Sequence, residues 1–139
     1  MMQLSTHLVE RANIGRNWRE VKHWVAAACE VTGGEVTPEL VKVWLQEHAT
    51  ELVLLRLVSD NSLVGCMVLD HTDPTRLHII SLAGELPPGW HDDAWILLRR
   101  LAHEWGCTVV TCRGRKGWQR VLPSWGFEQA SDGTMFRRV

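Results

Sequence analysis

The sequence predicts a single α/β (α+β) domain over residues 1–139, built on a mixed, mostly antiparallel sheet with helices on both faces. Three observations carry that reading. Near-continuous apolar runs of strand length fall at 51–58, 63–71 and 76–83, and strands apolar on consecutive residues suit a sheet covered on both sides. An amphipathic helical stretch then leads into a further apolar strand, the pattern of a parallel crossover. A chain of 139 residues is also long enough for one hydrophobic core and too short for two.

From Asn17 onward, Trp18, Val21, Trp24, Val25, Ala28 and Cys29 recur at helical spacing, so one face of a first helix is apolar until Gly33-Gly34 stops it. Thr37-Pro38-Glu39 then supplies an N-cap, a proline pre-set for the first helical position and an acid favoured by the helix dipole. The helix it opens turns Leu40, Val41, Trp44 and Leu45 inward. Ser59-Asp60-Asn61-Ser62 and Thr72-Asp73-Pro74-Thr75 divide the three apolar runs into an antiparallel meander. After Pro87-Pro88-Gly89, residues 92–105 form a helix with Trp95, Leu98, Leu101, Ala102 and Trp105 on one stripe and Gly106 as its stop. Residues 108–112 read as a short buried strand and 116–122 as a brief helix limited by Pro123. Residues 127–130 and 134–138 close the chain as a hairpin around Ser131-Asp132-Gly133.

Composition narrows the classes of function. No apolar run is long enough for a membrane-spanning helix and no signal-peptide core is evident, so a cytoplasmic protein is expected. Cys29, Cys66, Cys107 and Cys112 lack CxxC spacing and sit among apolar neighbours, as reduced buried thiols do, so neither a metal site nor a disulfide frame is expected. The net charge is only −1, which argues against nucleic acid as the partner. Positive charge nevertheless gathers late in the chain, where Arg113, Arg115, Lys116, Arg120, Arg137 and Arg138 face only Glu128 and Asp132.

That late segment is the most informative one. It reads as strand, basic glycine loop, short helix and return strand, with Arg113, Arg115, Lys116 and Arg120 crowding the loop and helix start. Gly114 and Gly117 allow a tight turn, and free amides at a helix start favour negative charge. Such a corner suits an anion, and it equally suits a solvated loop at the sheet rim. Of the eight tryptophans, Trp18, Trp24, Trp44, Trp95 and Trp105 lie on apolar helix stripes. Trp90, Trp118 and Trp125 lie near turns beside Arg115 and Arg120, a mixture favoured at protein-binding surfaces and also compatible with packing. Exposed tryptophan would also favour a homo-oligomer.

The order helix, helix, three antiparallel strands, long helix, strand, short helix and hairpin resembles the GNAT acyltransferase superfamily over nearly the whole chain. Trp125-Gly126-Phe127-Glu128 is similar to the aromatic-Gly-Phe turn common there. Gly114-Arg115-Lys116-Gly117-Trp118-Gln119-Arg120-Val121-Leu122-Pro123 resembles a segment of GNAT-like proteins encoded by tailed bacteriophages. The resemblance implies a sheet that splays where the strand before the long helix meets the strand after it. The pantetheine arm of an acyl-CoA inserts there, with its pyrophosphate at the helix start. The residues to inspect are then 79–82, 83–91 and 109–113, and Arg113, Arg115, Lys116 and Arg120 would supply charge for the phosphates.

The chain departs from the family at two points. Where the family has a glycine-rich loop of the form Gln/Arg-x-x-Gly-x-Gly/Ala, this chain has Gly84-Glu85-Leu86-Pro87-Pro88-Gly89-Trp90-His91-Asp92-Asp93. Two prolines remove amide donors, and Glu85, Asp92 and Asp93 place carboxylates where a pyrophosphate needs positive potential. The family's usual general acid is a tyrosine, and this chain has none. Cys112, Ser124 or a water could protonate the leaving thiolate, with His78 or His71 as base. The expectation is therefore a phage-type, virion-associated or assembly-related binding module without a cofactor, found in the host cytoplasm or the virion. Trp90, Arg115, Trp118, Arg120 and Trp125 would meet phage structural or assembly proteins. The alternative is an acetyl-CoA-dependent N-acyltransferase acting on an amine.

Overall fold

The computed structural model describes residues 3–30, 35–47, 49–113 and 122–139. In chain order come β1 (Leu4–Leu8), a 3-10 turn (Arg11–Asn13), α1 (Ile14–Glu30), α2 (Pro38–Gln46), β2 (Thr50–Leu57), β3 (Leu63–Asp70) and β4 (Arg76–Gly84). There follow α3 (Trp90–Glu104), β5 (Val109–Arg113), a second 3-10 turn (Leu122–Trp125), β6 (Glu128–Gln129) and β7 (Thr134–Arg138). The strands make one sheet in the order β1-β2-β3-β4-β5-β7-β6, antiparallel throughout except for the parallel pair β4–β5.

The near-continuous apolar runs have a simple origin. Successive side chains of a strand point to opposite faces, and here both faces are covered. Val53, Leu55, Met67, Leu69, Leu77 and Ile79 turn to one side and pack with Ala94, Leu98 and Leu101 of α3. Leu52, Leu54, Cys66 and Val68 turn to the other and pack with Trp18, Val21 and Val25 of α1 and Val41 and Leu45 of α2. Truncating any one of the fully buried leucines to alanine removes roughly 2–5 kcal/mol.

The helices begin and end largely where their local chemistry dictates. Thr37 caps α2 by accepting from the Leu40 N–H at 3.1 Å, and Pro38 fills the first helical position. Gly89, in a left-handed conformation at φ 80°, opens α3 at Trp90, two residues earlier than the acidic start suggests. Leu40, expected inward, is 37 % exposed on the outer side of α2, while Trp24 and Trp44 lie half-buried at the rim of the core under α1 and α2.

Three features lie beyond the sequence reading. Residues Leu4–Leu8 form an edge strand that the sequence did not signal, because only Leu4 of the five is buried and no alternation shows. The final hairpin is present, with β7 beside β5 and β6, of two residues, at the edge. The brief helix expected at 116–122 falls on residues outside those described, except for Leu122, which begins a 3-10 turn that contains Pro123.

Candidate functional site

Among the described residues, the candidate site is a gap in the sheet. Within them β4 pairs with β5 only from Arg76↔Val109 to Ile79↔Cys112. Beyond that point β4 continues on β3 as far as Gly65↔Gly84, while Arg113 of β5 continues on β7 opposite Thr134. Each strand therefore stays paired on its outer side as the two part on the inner side. A bulge helps to cause this: Ser81 faces Val68 and Ile79 faces Leu69, leaving Ile80 as the extra residue, and a bulge bends and twists its strand. Two glycines draw the far end of β4 toward β3. A Cβ on Gly84 would lie 2.1 Å from the Val64 carbonyl oxygen, and one on Gly65 would lie 2.6 Å from that of Ala83.

The backbone presents hydrogen-bonding groups to this gap. The Glu85 N–H donates to the Val64 carbonyl at 2.7 Å, so in the antiparallel alternation Ala83 and Ser81 also turn their peptide groups toward β3. Leu82 and Gly84 turn theirs the other way, toward the gap.

At the mouth of the gap the turn into α3 is closed on itself. The Trp90 N–H donates to the Pro87 carbonyl at 3.1 Å and the Asp92 N–H to that of Gly89 at 3.2 Å. The negative charge expected here is smaller than the sequence suggests. Asp93 is 7 % exposed and points away, its Oδ2 accepting from the N–H groups of Gln3 at 2.8 Å and Leu4 at 3.0 Å. Asp92 faces solvent, with its side chain 85 % exposed, and Glu85 is exposed as well.

On the α1 face the floor of the gap is His78 beside Thr111, paired in register, with Nδ1 and Oγ1 sharing a hydrogen bond of 2.8 Å. Partial burial, reinforced by Arg76 and Arg113 and opposed by Asp70, holds the His78 imidazole below its ordinary pKa. The expected candidates otherwise scatter. Cys112 lies on the opposite face, packed into the core under α3, and burial pushes its thiol up to about 12. Ser124 is exposed on the second 3-10 turn. His71 belongs to the far end of the sheet, stacked on Trp105 at 4.0 Å with its Nε2 3.4 Å from Glu51, so it does not serve the gap.

Of the basic corner, Arg113 is exposed and pairs with Glu35 at 3.7 Å. Arg115, Lys116, Trp118 and Arg120 lie outside the described residues. Trp125, expected at a partner-facing surface, is instead core: it is 3 % exposed, edge-on to Trp90 at 5.2 Å and 5.1 Å from Phe127. Arg137 locks this cluster, its guanidinium 3.8 Å above the Trp95 ring and its Nη1 donating to the Trp125 carbonyl at 2.8 Å. Among the described residues, Ser81 Oγ, His91 Nδ1 and Trp125 Nε1 are buried without hydrogen-bond partners. Each such group costs about 1–3 kcal/mol; Ser81 lies on β4 beside the gap and His91 in the first turn of α3.

The sequence pointed to His78 as one of two candidate bases, with His71. It did not pair His78 with Thr111, although both are polar residues flanked by apolar ones in their strands. Among the described residues, no group of three or more His, Cys, Asp or Glu side chains could hold a metal ion, and no helix is long and apolar enough to cross a membrane.

No protein-family model matches the chain, and no curated protein matches it in sequence. Solved structures do match it in shape. Ard1 from Thermoplasma volcanium aligns with a TM-score of 0.67 at 16 % identity, covering 99 % of both chains. A GNAT family acetyltransferase from Elizabethkingia anophelis, solved with acetyl-CoA bound, aligns at 0.66 and 14 % identity over 100 % of both. An acetyltransferase from Thermus thermophilus aligns at 0.62 and 16 % identity, covering 99 % of this chain and 98 % of the other. The chain has the fold of the GNAT acetyltransferases.

Proposed function

We propose that this chain is an acyl-CoA-dependent N-acyltransferase, taking acetyl-CoA as donor and an amine as acceptor. The observation that carries the proposal is the parting of β4 and β5 after Ile79 and Cys112, with β4 still ordered on β3 and its Leu82 and Gly84 peptide groups facing the gap. An extended arm bearing amide groups, as pantetheine does, fits such an edge by adding itself as a strand. The acceptor comes from the α1 side, because Leu82, Leu86 and Cys112 fill the α3 side with core packing. With two prolines in the turn before α3 and the Trp90 and Asp92 amides at the helix start committed to that turn, phosphate charge falls to Arg113, Arg115, Lys116 and Arg120. Among the described residues no side chain takes the place of the family's tyrosine, so the leaving sulfur draws its proton from the acceptor nitrogen or water.

Isothermal titration with acetyl-CoA tests this reading. The expected result is micromolar binding that Arg115→Glu abolishes. The self-closed turn, in which the Trp90 N–H is spent on the Pro87 carbonyl, favours a second reading. In it the chain is a phage virion-associated or assembly-related module that keeps the fold without the reaction, meeting a protein partner through Trp90, Arg115, Trp118 and Arg120. That reading expects no heat of binding with acetyl-CoA.

A further inference from the structure

We propose that His78 and Thr111 act as a pair in this reaction, Thr111 fixing the His78 ring so that its Nε2 is the atom that takes a proton from the acceptor amine. The inference rests on the acyltransferase reading above and assigns a role within it. His78 and Thr111 form the last cross-strand pair on the α1 face before β4 and β5 part, since the next pair, Ile79 and Cys112, turns into the α3 core. An amine reaching the gap from the α1 side therefore passes over the His78 ring. Nδ1 is engaged by Thr111 Oγ1 at 2.8 Å, which leaves Nε2 as the nitrogen for the acceptor.

The surroundings suit that task. Thr111 is buried at 6 % exposure, and its β-branched side chain has few rotamers, so it is a stiff anchor. His78 is only partly buried, which leaves a ring edge accessible. The charged groups that face the ring are Arg76, Arg113 and Asp70, and burial with the two arginines favours the neutral imidazole, which has a lone pair to offer. Asp70 is engaged elsewhere, its Oδ1 accepting from the Thr72 N–H at 2.8 Å and the Thr72 hydroxyl at 2.6 Å.

The proton and electron accounts close. The acceptor arrives as an ammonium, and Nε2 takes one N–H proton, freeing the nitrogen lone pair. The N–C bond forms at the thioester carbonyl carbon while the C–S bond breaks with its electron pair on sulfur. The second proton lost by nitrogen ends on that sulfur, giving an amide and a free thiol, and the proton on His78 returns to solvent.

His78→Gln, Thr111→Val and Thr111→Ser, each checked for an unchanged circular-dichroism spectrum, test the pair with acetyl-CoA and n-butylamine as substrates. The expected result is a fall in kcat/KM of about 100-fold for His78→Gln and about 10-fold for Thr111→Val, with rescue by Thr111→Ser and an unchanged Kd for acetyl-CoA. The acidic limb of the wild-type pH profile disappears in His78→Gln. Independently of activity, the 15N spectrum of the histidines shows a proton on Nδ1 of His78 in wild type and Thr111→Ser but not in Thr111→Val. Acetyl-CoA turnover combined with an unimpaired His78→Gln or a proton on Nε2 overturns the pair alone, whereas an inert wild type overturns the pair and the acyltransferase reading together. Absence of acetyl-CoA binding overturns the acyltransferase reading and the catalytic role together.

Discussion

The carboxylate of Asp93 on α3 accepts a hydrogen bond from the backbone N–H of Leu4 on β1, 3.0 Å away, and a second from Gln3 at 2.8 Å. An acid in the first turn of a helix ordinarily serves that helix. Here it satisfies the start of an edge strand from the other end of the chain. Asp93→Ala is expected to lower unfolding stability by roughly 3 kcal/mol, from two charge-assisted bonds lost in a buried setting. Urea denaturation checks this, and a loss below about 0.5 kcal/mol would contradict the assignment.

Two glycines with positive φ separate the effect of handedness from that of close approach. Gly84 and Gly133 have φ of 143° and 90°, but a Cβ meets the Val64 oxygen at 2.1 Å in the first and nothing within 4 Å in the second. Gly133→Ala is expected to cost about 1 kcal/mol from the left-handed backbone alone. Gly84→Ala is expected to cost several times more, because β3 and β4 must separate. Equal shifts in Tm for the two variants would show that the strands do not approach as described.

Burial pushes the thiols of Cys66 and Cys112 up to about 12, so both bind a proton more tightly in the folded chain than in the unfolded one. The sign follows from linkage. Their contribution is complete below the unfolded thiol value near 9 and is lost as pH rises toward 12. Stability is expected to fall above pH 9 by roughly 1 kcal/mol per thiol per pH unit, and less steeply in a Cys66→Ala, Cys112→Ala double variant. Denaturant midpoints between pH 8 and 10.5 provide the check, and identical slopes would contradict it.

Layers and most elements of the fold were legible in the sequence because period and punctuation agreed. Thr37-Pro38 opened α2, Gly106 closed α3, and the apolar runs of β2, β3 and β4 announced a sheet with two covered faces. β1 was not legible, since an edge strand held by Asp93 and by pairing with β2 needs little apolar surface of its own. The candidate site was legible in position but not in character. In sequence Asp93 is a local negative charge, whereas its side chain faces β1; Trp125 reads as either partner surface or packing, and Arg137, Phe127 and Trp90 enclose it. Neither fact is local in sequence. The bulge at Ile80, which helps to open the gap, has no compositional mark because isoleucine suits a regular strand equally well.

The central claim is that an acyl-CoA arm pairs with the edge of β4 beyond Ile79, which carries no strand partner among the described residues. Amide hydrogen exchange at Leu82 and Gly84, followed by NMR with and without millimolar acetyl-CoA, tests it most directly. The account predicts that acetyl-CoA slows exchange at both amides at least about tenfold, while adenosine 3′,5′-bisphosphate, which lacks the arm, leaves them unchanged. Unaltered exchange at both amides in the presence of acetyl-CoA would contradict it.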